Sequence, residues 1–149
     1  MIRVEDLSVT LPGFALENIQ LQVAAGEAFA LLGPTGAGKT LLLEAIIGVV
    51  PVDRGRILID GRDVTPLPPE HRHIGIVYQD HALFPHLTVE ENIRYGQRYC
   101  AGPLPALAPL IARLGLERLL GRRIHSLSGG EKQRVALARS LAVAPSVLL

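Results

Sequence analysis

One short stretch, GPTGAGKT at residues 33–40, constrains the fold of this chain more than any other part of its 149 residues. It lies between the apolar runs AFALL at residues 28–32 and LLLEAII at residues 41–47. Its glycines allow several backbone N–H groups to point inward at an anion without steric clash. A helix that starts near Lys39 adds the positive end of its dipole. The pattern G-x-x-x-x-G-K-T therefore predicts a phosphate-binding loop.

The positions of this loop have distinct expected roles. Lys39 is expected to reach the β- and γ-phosphates and to act in catalysis, and the Thr40 hydroxyl is expected to hold Mg²⁺. A buried strand over residues 28–32 and the helix KTLLLEAIIGV, ended by Pro51 and Gly55, supply the context that the motif requires. A glycine turn that fits the pattern by chance would lack this context. The residues expected to contact a nucleotide are Gly33, Pro34, Thr35, Gly36, Ala37, Gly38, Lys39 and Thr40.

Composition and charge exclude several function classes. The net charge is +1, which argues against a nucleic-acid partner. No apolar run reaches the roughly 20 residues that span a bilayer, and no signal peptide follows Met1, so we expect a soluble protein. Cys100 is the only cysteine and is interpreted as an ordinary thiol rather than a redox group. The histidines, which show no metal-binding spacing, are His71, His73, His81, His86 and His125.

Outside the glycine loop, alternating and β-branched residues predict further strands. A turn is expected at LPGF, residues 11–14, and a second at Asp60-Gly61. A proline-rich loop covers residues 64–73. The predicted strands are IRVEDLSV (2–9), LENIQLQV (16–23), GRILIDG (55–61), IGIVYQ (74–79) and the beginning of one at SVLL (146–149).

Helix signals dominate from about residue 81. Thr88 followed by Glu91 predicts a capping box, and LAPLIARLGLERLL at residues 107–120 has apolar residues at helical spacing up to Gly121. A further long helix is expected from Ser128 to a stop at Pro145.

The start of that last helix has two interpretations. Ser128 and Glu131 have capping-box spacing, and Gly129 with Gly130 exposes bare backbone amides. The segment is therefore either a second anion-binding helix start or only a well-capped helix.

Three pieces taken together resemble a known family. GPTGAGKT, VYQD and LSGGEKQRVALARSL resemble the Walker A loop, Q-loop and signature of the ATP-binding subunit of an ABC transporter, in that family's order. The resemblance covers the whole chain. Residues 61–93 are similar to the ATPases of bacterial and archaeal importers, a group that handles molybdate, tungstate, sulfate, polyamines, iron and sugars.

The resemblance implies an α/β fold of the P-loop NTPase class, with an antiparallel β subdomain, a helical insert and an incomplete sheet. Residues 1–80 would form the β subdomain and P-loop core. Residues 81–127 would form the helical subdomain. Residues 128–149 would form the signature helix and the start of the Walker B strand.

The resemblance also implies cofactors and site residues. ATP and Mg²⁺ would bind at the glycine loop, and Gln79 would touch Mg²⁺ or the attacking water, unless it is only a polar residue at a strand end. An adenine-stacking position falls at Leu11 or Phe14, and Phe14 is equally well interpreted as a core residue. The residues that would bind ATP held by a second, head-to-tail copy are Ser128, Gly129, Gly130 and Gln133.

Membrane permease subunits would contact the helical subdomain near Phe84-Pro85. Such a subunit would lie on the cytoplasmic face of the cell membrane and power an importer, with an oxyanion such as molybdate or tungstate as the expected cargo.

Hydrolysis needs carboxylates that this sequence does not supply after SVLL, where the family places Asp and Glu. We therefore expect these residues to be the front part of a longer subunit and to be inactive alone. One alternative is a fragment that binds nucleotide without hydrolysis. Another is a soluble ABC-type ATPase of DNA repair or translation. Gln79 and Ser128 lie 49 positions apart, too close for the coiled coil of the repair proteins.

Overall fold

The computed structural model describes residues 1–100 and 104–149. The chain divides into two compact units, Met1–Ile74 and Gly75–Leu149.

The first unit contains a four-stranded antiparallel sheet with strand order β2-β1-β3-β4. Pro12 and Gly13 connect the first hairpin, with Gly13 at φ 84°. Asp60 and Gly61 connect the third strand to the fourth, with φ 49° and 81°, as a tight hairpin turn requires. Both predicted turns are thereby confirmed. The strands are β1 (Ile2–Leu11), β2 (Phe14–Val23), β3 (Arg54–Ile59) and β4 (Arg62–Asp63).

Strand β1 changes the parity of its buried side chains halfway along. Ile2 and Val4 are buried at even positions, whereas Leu7 and Val9 are buried at odd positions. A strict period of two cannot place all four on one face, so one extra residue is needed between them. The pairing of β1 with β2 indeed shifts register between Val4 and Leu7, where Asp6 adopts φ 47°.

The helix that follows the glycine loop, α1 (Lys39–Ile47), buries Leu41, Leu42 and Ala45 along one side. It ends at Gly48, which adopts φ 93° and donates its N–H to Glu44 O and Ala45 O. The predicted end at Pro51 and Gly55 was wrong, because a glycine in the left-handed conformation terminates a helix at once.

The predicted buried strand over residues 28–32 was also wrong. Residues 27–34 form no strand, and Phe29 and Leu32 are 51% and 88% exposed. A strand buried on both faces needs hydrogen-bonding neighbours on both edges and helices above and below it. In the described part of the first unit, the sheet is built from β1 to β4 and does not include this segment.

The second unit is mainly helical. Its core contains the side chains of Val89, Ile93, Leu107, Ile111, Leu116, Leu119, Ile124, Leu127, Val135, Ala138 and Ala142. Short 3₁₀ turns cover Tyr95–Tyr99, Glu117–Leu119 and Ile124–Ser126, and another in the first unit covers Pro69–His71. The helices are α2 (Val89–Arg94), α3 (Leu107–Arg113) and α4 (Gly129–Leu141). Among the described residues, no helix is both long enough and apolar enough to cross a membrane.

Two of the predicted helices are shorter than expected. Helix α3 stops at Arg113, since Gly115 follows with φ 62°. Helix α4 stops at Leu141, four residues before Pro145.

The strand predicted over residues 74–79 is reduced to β5 (Ile74–Gly75), and the strand predicted at SVLL is present as β6 (Val147–Leu148). Leu149 N–H donates to Gly75 O, and Val77 N–H donates to Leu149 O, each at 2.9 Å. This alternation is the parallel pattern, so β5 and β6 run in the same direction.

Candidate functional site

The glycine loop of the first unit leads directly into α1. Gly36 and Gly38 both adopt φ 85°, a conformation that only glycine takes without strain. Gly38 is the N-cap of α1 and has no side chain to accept from the first helical N–H groups. Helix-start amides without an internal acceptor, next to a loop of left-handed glycines, form a ready site for an anion.

Lys39 lies folded back over this loop. Its Nζ donates to Gly33 O at 2.8 Å and to Pro34 O at 2.7 Å. Ala37 N–H also donates to Pro34 O, at 3.2 Å, so the loop forms a closed turn with the ammonium group inside it. The Lys39 ammonium is charged, whereas its two carbonyl acceptors are neutral. A phosphate oxygen would therefore be a stronger acceptor for it than either carbonyl. Thr40 is exposed at the first turn of α1.

The two candidate adenine residues face each other at the end of the first hairpin. Leu11 pairs with Phe14 across β1 and β2, and the two side chains are 40% and 39% exposed. Phe14 packs closely against the loop: a Cβ added to Gly38 would lie 2.9 Å from its ring and 2.7 Å from Leu16 Cδ2. The structure therefore brings Phe14 to the glycine loop.

The start of α4, in the second unit, has the side-chain cap that α1 lacks. Ser128 Oγ accepts from Glu131 N–H, and Glu131 Oε2 accepts from Ser128 N–H at 2.7 Å and from its hydroxyl at 2.8 Å. The hydrogen bonds from the Ser128 backbone, followed by those from its side chain, lower the pKa of Glu131. The predicted capping box is confirmed here, as it is at Thr88 and Glu91.

The glycines of the signature stretch have free space around them. A Cβ at Gly129 would meet nothing within 4 Å, and a Cβ at Gly130 would be 4.0 Å from the Arg134 guanidinium. Neither glycine has a positive φ. Nothing in the packing of the described residues therefore requires glycine at either position. Gln133 is exposed one turn further along α4.

Gln79 is exposed in a turn and not at the end of a strand, where the sequence had placed it. After Asp80, the residues His81 and Ala82 adopt φ 65° and 44°. Arg139 of α4 donates to both of their carbonyl oxygens, at 3.1 and 2.6 Å. Its guanidinium also lies 5.4 Å from the centre of the Phe84 ring, so α4 holds the segment that follows Gln79. Burial lowers the pKa of Arg139.

The loop after this turn is fixed from inside by Asn92. This side chain is fully buried: its Oδ1 accepts from Phe84 N–H at 2.9 Å, and its Nδ2 donates to the carbonyls of Phe84, Leu87 and Thr88. Sequence reasoning missed both Asn92 and Arg139. Asn92 carried a signal, because it occupies the apolar face of α2 one turn after Val89.

The predicted site residues are divided between the two units. Residues 33–40, Leu11 and Phe14 belong to the first unit, whereas Gln79, Ser128, Gly129, Gly130 and Gln133 belong to the second. Among the described residues, no group of three or more His, Cys, Asp or Glu side chains could hold a metal ion.

Comparison with known proteins places this arrangement in a family. The sequence profile of the ABC transporter family matches residues 16–149. The molybdate/tungstate import ATP-binding protein WtpC of Pyrococcus horikoshii is 46% identical over 153 residues, covering 100% of this chain and 44% of the relative. WtpC of Archaeoglobus fulgidus is 53% identical over 121 residues, covering 80% of this chain and 50% of the relative. The spermidine/putrescine import ATP-binding protein PotA of Vibrio parahaemolyticus is 40% identical over 154 residues, covering 100% and 41%. The chain thus spans about half the length of these relatives or less.

Solved structures agree with the sequence relatives. The dimeric post-hydrolysis state of the ATP-binding cassette MJ0796, bound to ADP and Pi, has a TM-score of 0.84 at 27% identity, covering 99% of this chain and 72% of that one. An ATP-binding subunit of an ABC transporter has a TM-score of 0.84 at 31% identity, covering 99% and 64%. This chain therefore belongs to the ABC transporter family and has the α/β fold of its ATP-binding cassettes.

Proposed function

We propose that this chain is part of the ATP-binding subunit of an ABC importer and that residues 33–40 bind the phosphates of ATP. The observation that carries the proposal is the start of α1. There, two left-handed glycines, one of which is the N-cap, and a lysine held on two carbonyls converge on one loop. This donor set suits a polyanion, because backbone N–H groups, the helix dipole and the ammonium all favour negative charge at the same place.

Each residue of the loop has a separate task in this proposal. The backbone amides of Gly36, Gly38 and the first turn of α1 hold the phosphate oxygens, and Lys39 exchanges its two carbonyl acceptors for them. The exposed Thr40 hydroxyl would hold Mg²⁺, which would supply charge neutralisation at the phosphates. Phe14, packed on Gly38, or Leu11 beside it covers the adenine.

The second unit contributes the remaining roles. Gln79 would orient the attacking water or contact Mg²⁺, and Lys39 and Gln79 are the two residues to which we assign a role in hydrolysis. Ser128, Gly129, Gly130 and Gln133 bind the ATP of a second copy in a head-to-tail dimer. The open space around Gly129 and Gly130 supports this role, because it leaves room for an approaching phosphate.

We propose a cellular role that the relatives support. The subunit would work at the cytoplasmic face of the cell membrane, held there by permease subunits that contact the helical residues near Phe84 and Pro85. Two of the relatives named above import molybdate or tungstate, which supports an oxyanion as the cargo. The spermidine/putrescine relative is more distant, at 40% identity, and is the competing class.

Titration of Mg-ATP binding to the chain by calorimetry tests the central step. Replacing Lys39 with Ala removes a charged hydrogen-bond donor to phosphate, which is worth ~1.5–3 kcal/mol, or roughly a 10- to 150-fold loss of affinity. The only other lysine, Lys132, lies in α4 and provides the matched control, since Lys132→Ala leaves the loop intact. Equal affinities for the wild type and Lys39→Ala would contradict the proposal.

Phosphate release measured in the same samples separates hydrolysis from binding alone. Mg-ATP binding without phosphate release would favour the binding-only alternative, and phosphate release that is lost in Lys39→Ala would favour hydrolysis at this loop.

A further inference from the structure

The first unit buries one arginine almost completely. Arg72 is 5% exposed, and its guanidinium donates four hydrogen bonds, all to backbone carbonyls. Nη1 donates to Ala45 O and Ile46 O at 2.9 Å, Nε donates to Leu67 O at 2.8 Å, and Nη2 donates to Thr65 O at 2.8 Å.

The Arg72 cation is stabilised by hydrogen bonds to carbonyls rather than by an ion pair. Among the ion pairs of the described residues, none involves Arg72. Burial lowers the pKa of Arg72, with a smaller opposing effect from Asp63, but a guanidinium remains protonated in proteins. A buried charge is costly unless it is fully hydrogen bonded, so the four carbonyls are what makes this position tolerable.

Two of the four carbonyls belong to the last turn of α1. Carbonyls in the last turn of a helix have no helical N–H four residues further on, and they form the negative end of the helix dipole. Ala45 O also accepts from Gly48 N–H, at 3.1 Å. A guanidinium satisfies both needs with one planar group. The other two carbonyls belong to the proline-rich loop, so Arg72 ties the C-terminal end of α1 to residues 65–67.

Gly48 makes room for this contact. A Cβ at Gly48 would lie 2.5 Å from Arg72 Nε and 2.6 Å from its Cζ, so a side chain here would have to displace the guanidinium. Glycine is therefore favoured here for two reasons, its φ of 93° and the guanidinium beside it.

The opposite end of α1 is held as well, where Phe14 and Leu16 pack against Gly38. Helix α1 has only nine residues, or about 13 Å of length, so a shift at one end displaces the other. We propose that Arg72 is a positioning residue for the nucleotide site: by locking the C-terminal end of α1, it sets where Lys39 and Thr40 meet the phosphates. This inference rests on the proposed binding of ATP to residues 33–40.

The experiment measures the Mg-ATP affinity of Arg72→Gln, Arg72→Lys and wild-type chains, each shown to be folded by circular dichroism at the assay temperature. We expect Arg72→Gln to bind about tenfold more weakly, the equivalent of one misaligned phosphate hydrogen bond. Arg72→Lys keeps the charge but loses the planar fork, and we expect its affinity to lie between the other two. Arg62→Gln is the matched control, because Arg62 is exposed on β4 of the same unit.

A purely structural role would lower the unfolding midpoint and leave the affinity of the folded protein unchanged. That result for Arg72→Gln would overturn the proposal. If Arg72→Gln does not fold, Gly48→Ala decides, since its methyl group would press on the same guanidinium. Weaker Mg-ATP binding by folded Gly48→Ala supports positioning, and wild-type affinity overturns it.

The two proposals can fail separately. A wild-type chain that does not bind Mg-ATP contradicts the proposed function. A wild-type chain that binds, together with Arg72 variants that bind equally well, contradicts only the positioning role.

Discussion

Two helices of this molecule begin in opposite ways. Helix α1 starts at Gly38, a left-handed residue with no side chain to offer, whereas α4 starts at Ser128, whose side chain and Glu131 saturate each other's backbone amides. A capping box satisfies two backbone N–H groups at a helix start without a ligand. A helix start that leaves them open depends on something else, either an incoming anion or packing from the outside.

The two helix starts are stabilised by contacts of different range along the sequence. At α4 the stabilising contacts lie within four consecutive residues of sequence. At α1 they come from Phe14 and Leu16 at one end and from Arg72 at the other. The open helix start is therefore supported by tertiary contacts, and the closed one by local contacts.

The largest loss of stability is expected when Gly38, the N-cap of α1, is replaced by a residue with a capping side chain. Serine is among the best N-cap residues, yet Gly38→Ser places a Cβ 2.7 Å from Leu16 Cδ2. We expect a loss of ~1–3 kcal/mol in the free energy of unfolding in urea from overpacking, in addition to the strain of the left-handed conformation. Gly36→Ser is the control, because Gly36 has the same φ of 85° and open space around it. Equal losses in the two variants would show that Phe14 and Leu16 do not limit this position.

Removing the cap of α4 is expected to cost less. Ser128→Ala loses the acceptor for Glu131 N–H, and we expect the free energy of unfolding to fall by ~1 kcal/mol. Thr88→Ala removes the equivalent acceptor in α2 and should cost a similar amount. Mg-ATP binding to the dilute chain should stay at the wild-type value. If Ser128→Ala leaves the urea midpoint unchanged, the capping box is not what stabilises α4.

Adding a methyl group at Gly129 should stabilise the fold. Its Cβ would meet nothing within 4 Å, and alanine at a helical position is favoured over glycine by ~0.5–1 kcal/mol. We expect a higher urea midpoint for Gly129→Ala together with weaker ATP-dependent dimerisation, measured by light scattering. Gly36→Ala is the contrast, since φ 85° makes alanine unfavourable there. A lower midpoint for Gly129→Ala would mean that glycine is needed by the fold itself.

The smallest effect concerns pH. The pKa of Glu131 is lowered in the folded chain, so its contribution to stability is present above the unfolded value near 4.5 and is lost as pH falls through the folded value. Glutamine also fits a capping box but does not titrate. We therefore expect Glu131→Gln to match the wild type more closely at pH 3 than at pH 7 in urea unfolding. The hydrogen bonds from Thr88 lower the pKa of Glu91 in the same way, so Glu91→Gln should behave like Glu131→Gln.

The features that sequence could predict are those determined over a few residues. Asp60-Gly61 closes its hairpin and Ser128 caps α4 because the interacting groups are sequence neighbours. The glycine loop was identifiable for the same reason, although the partners of Lys39 in it were not.

The features that sequence missed depend on distant partners. Residues 28–32 have the composition of a buried strand, but that state requires neighbours that no local pattern encodes. Arg72 is a polar residue whose burial becomes visible only when the carbonyls around it are placed, and Asn92, although it lies on the apolar face of α2, has backbone partners that no local pattern identifies. Leu7 breaks the alternation of β1, and only the bulge at Asp6 explains why.

Asn92 has a consequence for the kinetics and thermodynamics of assembly. By bonding to Phe84, Leu87 and Thr88, it holds a surface loop in one shape before any partner arrives. Ordering a flexible loop at an interface costs ~0.5–1.5 kcal/mol for each side chain immobilised, and a loop ordered in advance avoids much of that entropy loss. A protein that docks on residues 84–88 would therefore meet a rigid surface, with an association rate limited by diffusion and orientation rather than by folding of the loop.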